Sequence, residues 1–258
     1  MEPLRAVPPG HLAGVDCVIS DVDGTITDDD SLPAEAFAAL HRLRRAGVTV
    51  ILATAASAGW CDHMARLWPV AAVVGENGGL SIAYDRGARR TRCRFFEPAG
   101  ARDGTRLGAL AEAVCRAVPG TEIADDQPYR RASVAFRRPG DAAALAPLRE
   151  AIARLGARSA INSLWVLGWF GDHDKLAMVR RSAAEDLGID LDAAPERALY
   201  VGDSANDAPG FAFFPLSVGM ASLVGQGLPH LPRWVTEGAG GRGFVELVEA
   251  LLAAKRRP

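Results

Sequence analysis

Five short runs of this chain are apolar almost throughout, rather than at every second position. They are VDCVIS ending at Ser20, VTVILAT ending at Thr54, AAVVG ending at Gly75, RALYVGD ending at Asp203 and PLSVGM ending at Met220. Runs of this length and composition read as strands buried on both faces, which requires a sheet covered by helices on either side. The intervening segments have the spacing to supply them. In PAEAFAALHRLRRA, Phe37, Leu40 and Leu43 recur at helical intervals and Gly47 follows as a stop. AGWCDHMARLW, with Ser57 placed as its N-cap, KLAMVRRSAAEDLG and GFVELVEALLAAK read likewise as helices. Strand alternating with helix predicts an α/β protein built on a doubly wound parallel sheet of the Rossmann-like kind.

The rhythm changes between about residues 80 and 170. There GLSIAYD, RTRCRFFE, RRASVAFRR and NSLWVLGWF read as strands, and helical stretches fall near 103–118 and 141–155. This is an α+β pattern with helices on one face of a separate sheet. The predicted organisation is a core formed by residues 1–80 and 171–258, with an inserted α+β domain over 81–170.

The net charge of −2 over 258 residues gives no reason to expect a nucleic-acid partner. No segment is apolar for long enough to span a bilayer, and the N-terminal stretch MEPLRAVPPGHLAG lacks a signal-peptide core, so a cytoplasmic protein is expected. The four cysteines, Cys17, Cys61, Cys93 and Cys115, form no CxxC pair; Cys17 and Cys61 fall in apolar patterns and read as buried free thiols.

Ligands of parallel sheets bind beyond the carboxyl ends of the strands. The stretch SDVDGTITDDD places Asp21 and Asp23 there, one residue apart, at the end of the first long strand. Clustered carboxylates repel one another unless a cation or hydrogen bonds compensate. A calcium-binding helix–loop–helix is excluded, because Thr25 and Ile26 stand where that loop needs an acid and a glycine. Thr54 closes the second strand, Asp203, Asn206 and Asp207 follow a later one, and Lys175 opens a helix just after the insertion. Strand ends thus deliver carboxylates, a hydroxyl and an amide to one crevice, with one cation. Asp28, Asp29 and Asp30 read as solvated or as caps of the next helix.

DVDGT, the threonine after an apolar strand, the later lysine and GDSAND together resemble the four motifs of the haloacid dehalogenase-like phosphatase superfamily. The large insertion between the second and third motifs, and the junction GENGG, are similar to the α/β-capped, Cof-like branch. That branch contains sucrose-phosphate, trehalose-phosphate and mannosyl-phosphoglycerate phosphatases, and phosphomannomutase.

The resemblance implies a role for each matching residue. Asp21 would be the nucleophile that forms an aspartyl phosphate. Asp23 would protonate the leaving alkoxide and then deprotonate the attacking water. Mg²⁺ would be held by Asp21, the backbone carbonyl of Asp23 and Asp203, with Asp207 as an additional carboxylate on the ion or one that supports its ligands from behind, an oxygen set that suits magnesium. Thr54, Lys175 and Asn206 would bind phosphoryl oxygens. Two positions depart from the common pattern: Ala55 and Ala56 stand where many relatives have glycine and arginine, and Leu176 follows the lysine where glycine is common.

Substrate contacts within the cap are expected from Glu76 and Asn77 at the junction and from an arginine-bearing face carrying Arg92 and Arg131. Trp165 and Trp169 share a face of their strand and are expected in the cap core, with stacking on a sugar ring as the alternative. The implied activity is a Mg²⁺-dependent phosphatase acting on a small phosphorylated metabolite, a sugar or sugar-like phosphate. A phosphosugar mutase and a non-catalytic phospho-accepting module are the alternatives.

Overall fold

The computed structural model describes residues 1–29, 31–98, 104–162 and 164–256. The strands are β1 (Glu2–Pro3), β2 (Cys17–Ser20), β3 (Thr49–Ala53), β4 (Ala72–Gly75), β5 (Leu80–Asp85), β6 (Arg90–Phe95), β7 (Val134–Arg137), β8 (Arg158–Ile161), β9 (Trp165–Trp169), β10 (Ala198–Gly202), β11 (Leu216–Gly219) and β12 (Trp234–Val235). The helices are α1 (Pro9–Ala13), α2 (Ala34–Arg45), α3 (Ala58–Leu67), α4 (Gly104–Ala117), α5 (Leu145–Arg154), α6 (Lys175–Leu187), α7 (Ala208–Phe213) and α8 (Gly240–Lys255).

Nine strands form the larger sheet in the order β1-β12-β11-β10-β2-β3-β4-β5-β6. From β1 to β4 all neighbours are parallel. Successive side chains of each inner strand enter opposite cores. Val18, Val50 and Leu52 pack against α2, α3 and α8, whereas Cys17, Ile19, Ile51 and Ala53 pack against α6 and α7. Both faces are therefore dry, which explains the continuous apolar runs. The fold class is the expected α/β one. Connections leave β2 toward β3 and β4 on one side, while β10 to β12 lie on the other. The crevice at this reversal, beyond the carboxyl ends of β2, β3 and β10, is where the acidic motifs emerge.

The hairpin β5–β6 differs from the expected organisation. The sequence reading put GLSIAYD and RTRCRFFE inside the inserted domain; in the structure both extend the larger sheet, β5 antiparallel to β4 and β6 antiparallel to β5. The cause is the tight turn Glu76–Gly78, where Glu76, Asn77 and Gly78 take φ of 49°, 55° and 99°. Left-handed backbone at three consecutive residues reverses the chain at once instead of carrying it away. Leu80 and Ile82 then enter the core shared by α3.

The smaller sheet, β7-β9-β8, is antiparallel. Val134, Phe136 and Val166 on one face pack against Leu110 and Val114 of α4 and Leu148 and Ile152 of α5. The opposite face was expected to be polar. It instead presents Ala135, Leu167 and Trp169, which pack onto Ala55 immediately after Thr54. The cap thus lies directly on the crevice. Cys17 and Cys61 are buried free thiols, as expected. Among the described residues no helix is long and apolar enough to cross a membrane.

Candidate active site

Asp21 follows β2 and is 5 % exposed. Its Oδ1 lies 2.9 Å from Lys175 Nζ, and the same ammonium lies 3.3 Å from Asp207 Oδ1. Lys175 is the first residue of α6, whose N-cap Asp174 accepts from the Ala177 N–H at 2.8 Å. That cap fixes where the helix starts and so aims the lysine into the crevice.

Asp207 is completely buried and both of its oxygens are in use. Oδ1 accepts from Tyr200 at 2.9 Å as well as from Lys175, and Oδ2 accepts the N–H groups of Asp203 and Ser204, each at 3.1 Å. It anchors the loop that carries Asp203 and holds Lys175 in place. Close approach at this loop needs glycine twice. A Cβ on Gly202 would sit 2.4 Å from the Asp207 carboxylate, and one on Gly24 would sit 2.5 Å from Asp203 Oδ2, where Gly24 also has φ of 76°. Thr25 donates to Asp203 Oδ1 at 3.3 Å.

Asp23 has different surroundings. The Thr54 hydroxyl donates to its Oδ2 at 3.4 Å and accepts the Ala56 N–H at 3.0 Å. Asp23 lines two spaces. One is a small cavity shared with Asp21, Ala55, Asn162, Asp203 and Asn206; the other is a cleft of about 460 Å³ between α3 and the cap. Asn206 accepts from the Ser204 hydroxyl at 2.7 Å.

Four carboxylates, Asp21, Asp23, Asp203 and Asp207, here face one ammonium, Lys175. Burial pushes the Asp21 carboxyl well above its ordinary range; Lys175 opposes this, and Asp207, Asp203 and Asp23 add to it. Burial, and then Asp207, raise Asp203 to about 6. Burial works against the Lys175 charge, yet the Asp207 and Asp21 carboxylates raise its pKa above the usual value. Single ligand oxygens of Asp21, Asp203 and Asp207 lie within 4.8 Å of one another. A negative excess in an all-oxygen pocket fits a hard divalent cation such as Mg²⁺. Asp21 and Asp203 are the side chains with capacity to hold it, since Asp207 is filled by the five hydrogen bonds it accepts among the described residues, the Ser204 hydroxyl included.

Glu76 and Arg92, expected to contact substrate, have other partners. Glu76 is fully buried and joins core to cap. Its Oε1 accepts the N–H groups of Ala58 and Arg131, and its Oε2 accepts the Ala132 N–H and the Ser133 hydroxyl, at 2.7–3.1 Å. This carboxylate caps α3 in place of Ser57, whose hydroxyl has no partner among the described residues. Asn77 is 4 % exposed, and its side-chain amide has no partner among the described residues. Arg92 lies outside the crevice, donating to the Asp186 carbonyl at 3.3 Å, and Arg94 beside it pairs with Glu185 and Asp186. Arg131 stacks on Phe95 with its guanidinium carbon 4.7 Å from the ring centroid. Asp28 accepts the Gly241 N–H at 3.0 Å, so it meets the last helix, α8, rather than the next one; Asp30 lies outside the described residues. Trp169 is buried as expected, whereas Trp165 lines the 460 Å³ cleft.

Three residues of the site went unnoticed in the sequence. Asn162, between β8 and β9, reaches the cavity of the aspartates. Arg130, only 8 % exposed, donates to the Ala55 carbonyl at 3.0 Å and grips Asp126 with two hydrogen bonds of 2.9 and 3.0 Å. Tyr200 was detectable in principle, as a hydroxyl in an otherwise aliphatic strand that needs a buried partner.

Residues 18–91 match the family model of haloacid dehalogenase-like hydrolases. A solved protein from Thermoplasma acidophilum superposes with a TM-score of 0.71 at 21% identity, covering 92% of this chain and 98% of that one. A haloacid dehalogenase-like hydrolase from Bacteroides thetaiotaomicron gives 0.67 at 15% identity, over 91% and 98% of the two chains. The sucrose-phosphatase from Synechocystis, solved with sucrose and phosphate, gives 0.61 at 13% identity, over 91% and 97%. No curated protein matches the sequence.

Proposed function

We propose that this protein is a haloacid dehalogenase-like hydrolase, a Mg²⁺-dependent phosphatase that cleaves a sugar or sugar-like phosphate monoester through an aspartyl phosphate. The observation that carries this reading is the unlike setting of two carboxylates two residues apart. Asp21 is enclosed and ion-paired to Lys175 at 2.9 Å; Asp23 touches Thr54 and opens onto the cleft where a leaving group would sit. Paired carboxylates with divergent surroundings divide nucleophilic from acid–base work.

In the first step an Asp21 oxygen attacks phosphorus, the bond from phosphorus to the substrate oxygen breaks, and Asp23 gives its proton to the departing alkoxide. In the second step water attacks phosphorus, Asp23 takes the water proton, and the Asp21–phosphorus bond breaks to release phosphate. Lys175, the Thr54 hydroxyl and the Asn206 amide bind the phosphoryl oxygens and stabilise charge as it spreads over them. Asp21, Asp203 and the Asp23 carbonyl would hold magnesium, which would supply the neutralisation that lets an anionic nucleophile meet an anionic phosphoryl group.

The movable cap is, in this reading, the β7-β9-β8 sheet with α4 and α5 rather than all of residues 81–170, because the β5–β6 hairpin is hydrogen-bonded into the core. The buried thiols of Cys17 and Cys61 suit a reducing, cytoplasmic compartment. A phosphate-release screen over phosphorylated metabolites, with Mg²⁺ and then with a chelator, tests the proposal. Metal-dependent release from sugar phosphates is expected. Isomerisation of a sugar phosphate in the presence of a sugar bisphosphate, without net release, would show a mutase instead.

A further inference from the structure

Resting on the phosphatase reading, we propose that the cleft beside Asp23 selects a neutral, ring-shaped leaving group and rejects one that carries a second anionic group. Trp165 and Trp60 are assigned as its specificity-determining side chains. The cleft lies where the cap turn Gln127–Tyr129 docks on the first turn of α3; a Cβ on Gly59 would come 2.9 Å from Tyr129 Cβ. Its walls are aromatic on both sides: Trp60 and Trp68 come from the core, Tyr129 and Trp165 from the cap. Trp60 is 59% and Tyr129 63% exposed, the most exposed aromatic side chains among the buried-core and surface residues described. Large apolar faces left open at the mouth of a catalytic cleft mark a binding surface.

The charge of the cleft decides what that surface takes. Among the described residues no lysine or arginine lines it, whereas Asp23, Asp125 and Asp126 do. Asp126 is neutralised by Arg130, but Asp125 is exposed and has no ion-pair partner among the described residues. The arginines that would greet a carboxylate or a second phosphate are committed elsewhere, Arg92 to Asp186 and Arg131 to the Phe95 ring. A second anion would therefore be desolvated beside like charges, which is unfavourable. A hydroxylated ring meets no such cost. Its C–H face rests on indole, and its edge hydroxyls donate to carboxylates. A volume of about 460 Å³ accommodates a group of pyranose size.

Three monoesters separate ring from charge: glucose 6-phosphate, the acyclic and otherwise neutral glycerol 3-phosphate, and 3-phosphoglycerate, which adds a carboxylate. The specificity constant should fall in that order, by about tenfold or more at each step. Trp165→Ala and Trp60→Ala should lower glucose 6-phosphate relative to glycerol 3-phosphate by about tenfold. Trp165→Leu is the substitute if the alanine variant does not fold. Asp125→Lys should raise 3-phosphoglycerate relative to glycerol 3-phosphate. A wild-type preference for 3-phosphoglycerate, or equal losses on both neutral esters in the tryptophan variants, overturns the proposal.

Failure of the phosphatase reading would look different, as no release from any ester. The cleft is then read by binding alone. Glucose 6-phosphate should quench the tryptophan fluorescence of Asp21→Asn more strongly than 3-phosphoglycerate does, and an equal or reversed response overturns the assignment.

Discussion

Glu76 of the core and Ser133 of the cap are joined by a hydrogen bond of 2.7 Å, donated by the Ser133 hydroxyl to Glu76 Oε2. The same carboxylate accepts two backbone N–H groups of the cap and the N–H of Ala58 that opens α3. A single buried side chain thereby fixes the cap to the start of α3. Glu76→Gln keeps the shape but turns one acceptor into a donor facing other donors. It should destabilise the protein by about 1.5–3 kcal/mol, the range for losing a hydrogen bond to a charged group. Urea denaturation measures this, and an unchanged midpoint would remove Glu76 from the junction's stability.

Asp23→Asn keeps the contact with Thr54 possible while removing the transferable proton. Turnover on a sugar phosphate should fall by about two to four orders of magnitude, with phosphate binding retained. A near wild-type rate would move the acid–base role to another residue.

The excess of carboxylates over ammonium around Asp21 predicts linkage to a divalent cation. Mg²⁺ should raise the melting temperature in proportion to the logarithm of its concentration, because it binds only the folded state. The effect should be much reduced in Asp203→Asn. Melting curves in chelator and in millimolar Mg²⁺ provide the check, independently of activity.

His173 lies between core and cap, stacked on Trp169 at 5.6 Å, and neither ring nitrogen has a partner among the described residues. Burial, and then the nearby Arg158, lower its pKa to about 4. A histidine protonates near 6.5 in the unfolded chain, so between pH 6.5 and 4 the unfolded state binds the extra proton. The contribution of neutral His173 is therefore complete above pH 6.5 and is lost as pH falls toward 4. Stability of the wild type should decline over that window more steeply than that of His173→Phe. Parallel curves would assign the acid sensitivity to other groups.

The loops of the candidate site were legible as strand ends because their signals are local. An apolar run that ends in Asp21, Thr54 or Asp203 declares both a buried strand and a polar residue at its carboxyl end. The destination of Arg92 and Arg94 is set by β5 and β6 pairing into the larger sheet, which brings them against Asp186, more than ninety residues away. Alternation within RTRCRFFE is the same in either sheet, so it does not reveal the choice. Glu76 and Asn77 were expected to contact substrate, but burial spends the Glu76 carboxylate on backbone N–H groups and the Ser133 hydroxyl rather than leaving it for a ligand. Asn162 carries no periodic signal; only the fold of β8 and β9 brings it over the aspartates.

The central claim, that Asp21 is the nucleophile, is tested most directly by acid-quenching the protein during turnover of a phosphoryl-labelled monoester in Mg²⁺. The account predicts label on the protein that hydroxylamine releases, that maps to the peptide containing Asp21, and that is absent from Asp21→Asn. Label that persists in Asp21→Asn, or phosphate release by that variant at the wild-type rate, would contradict it.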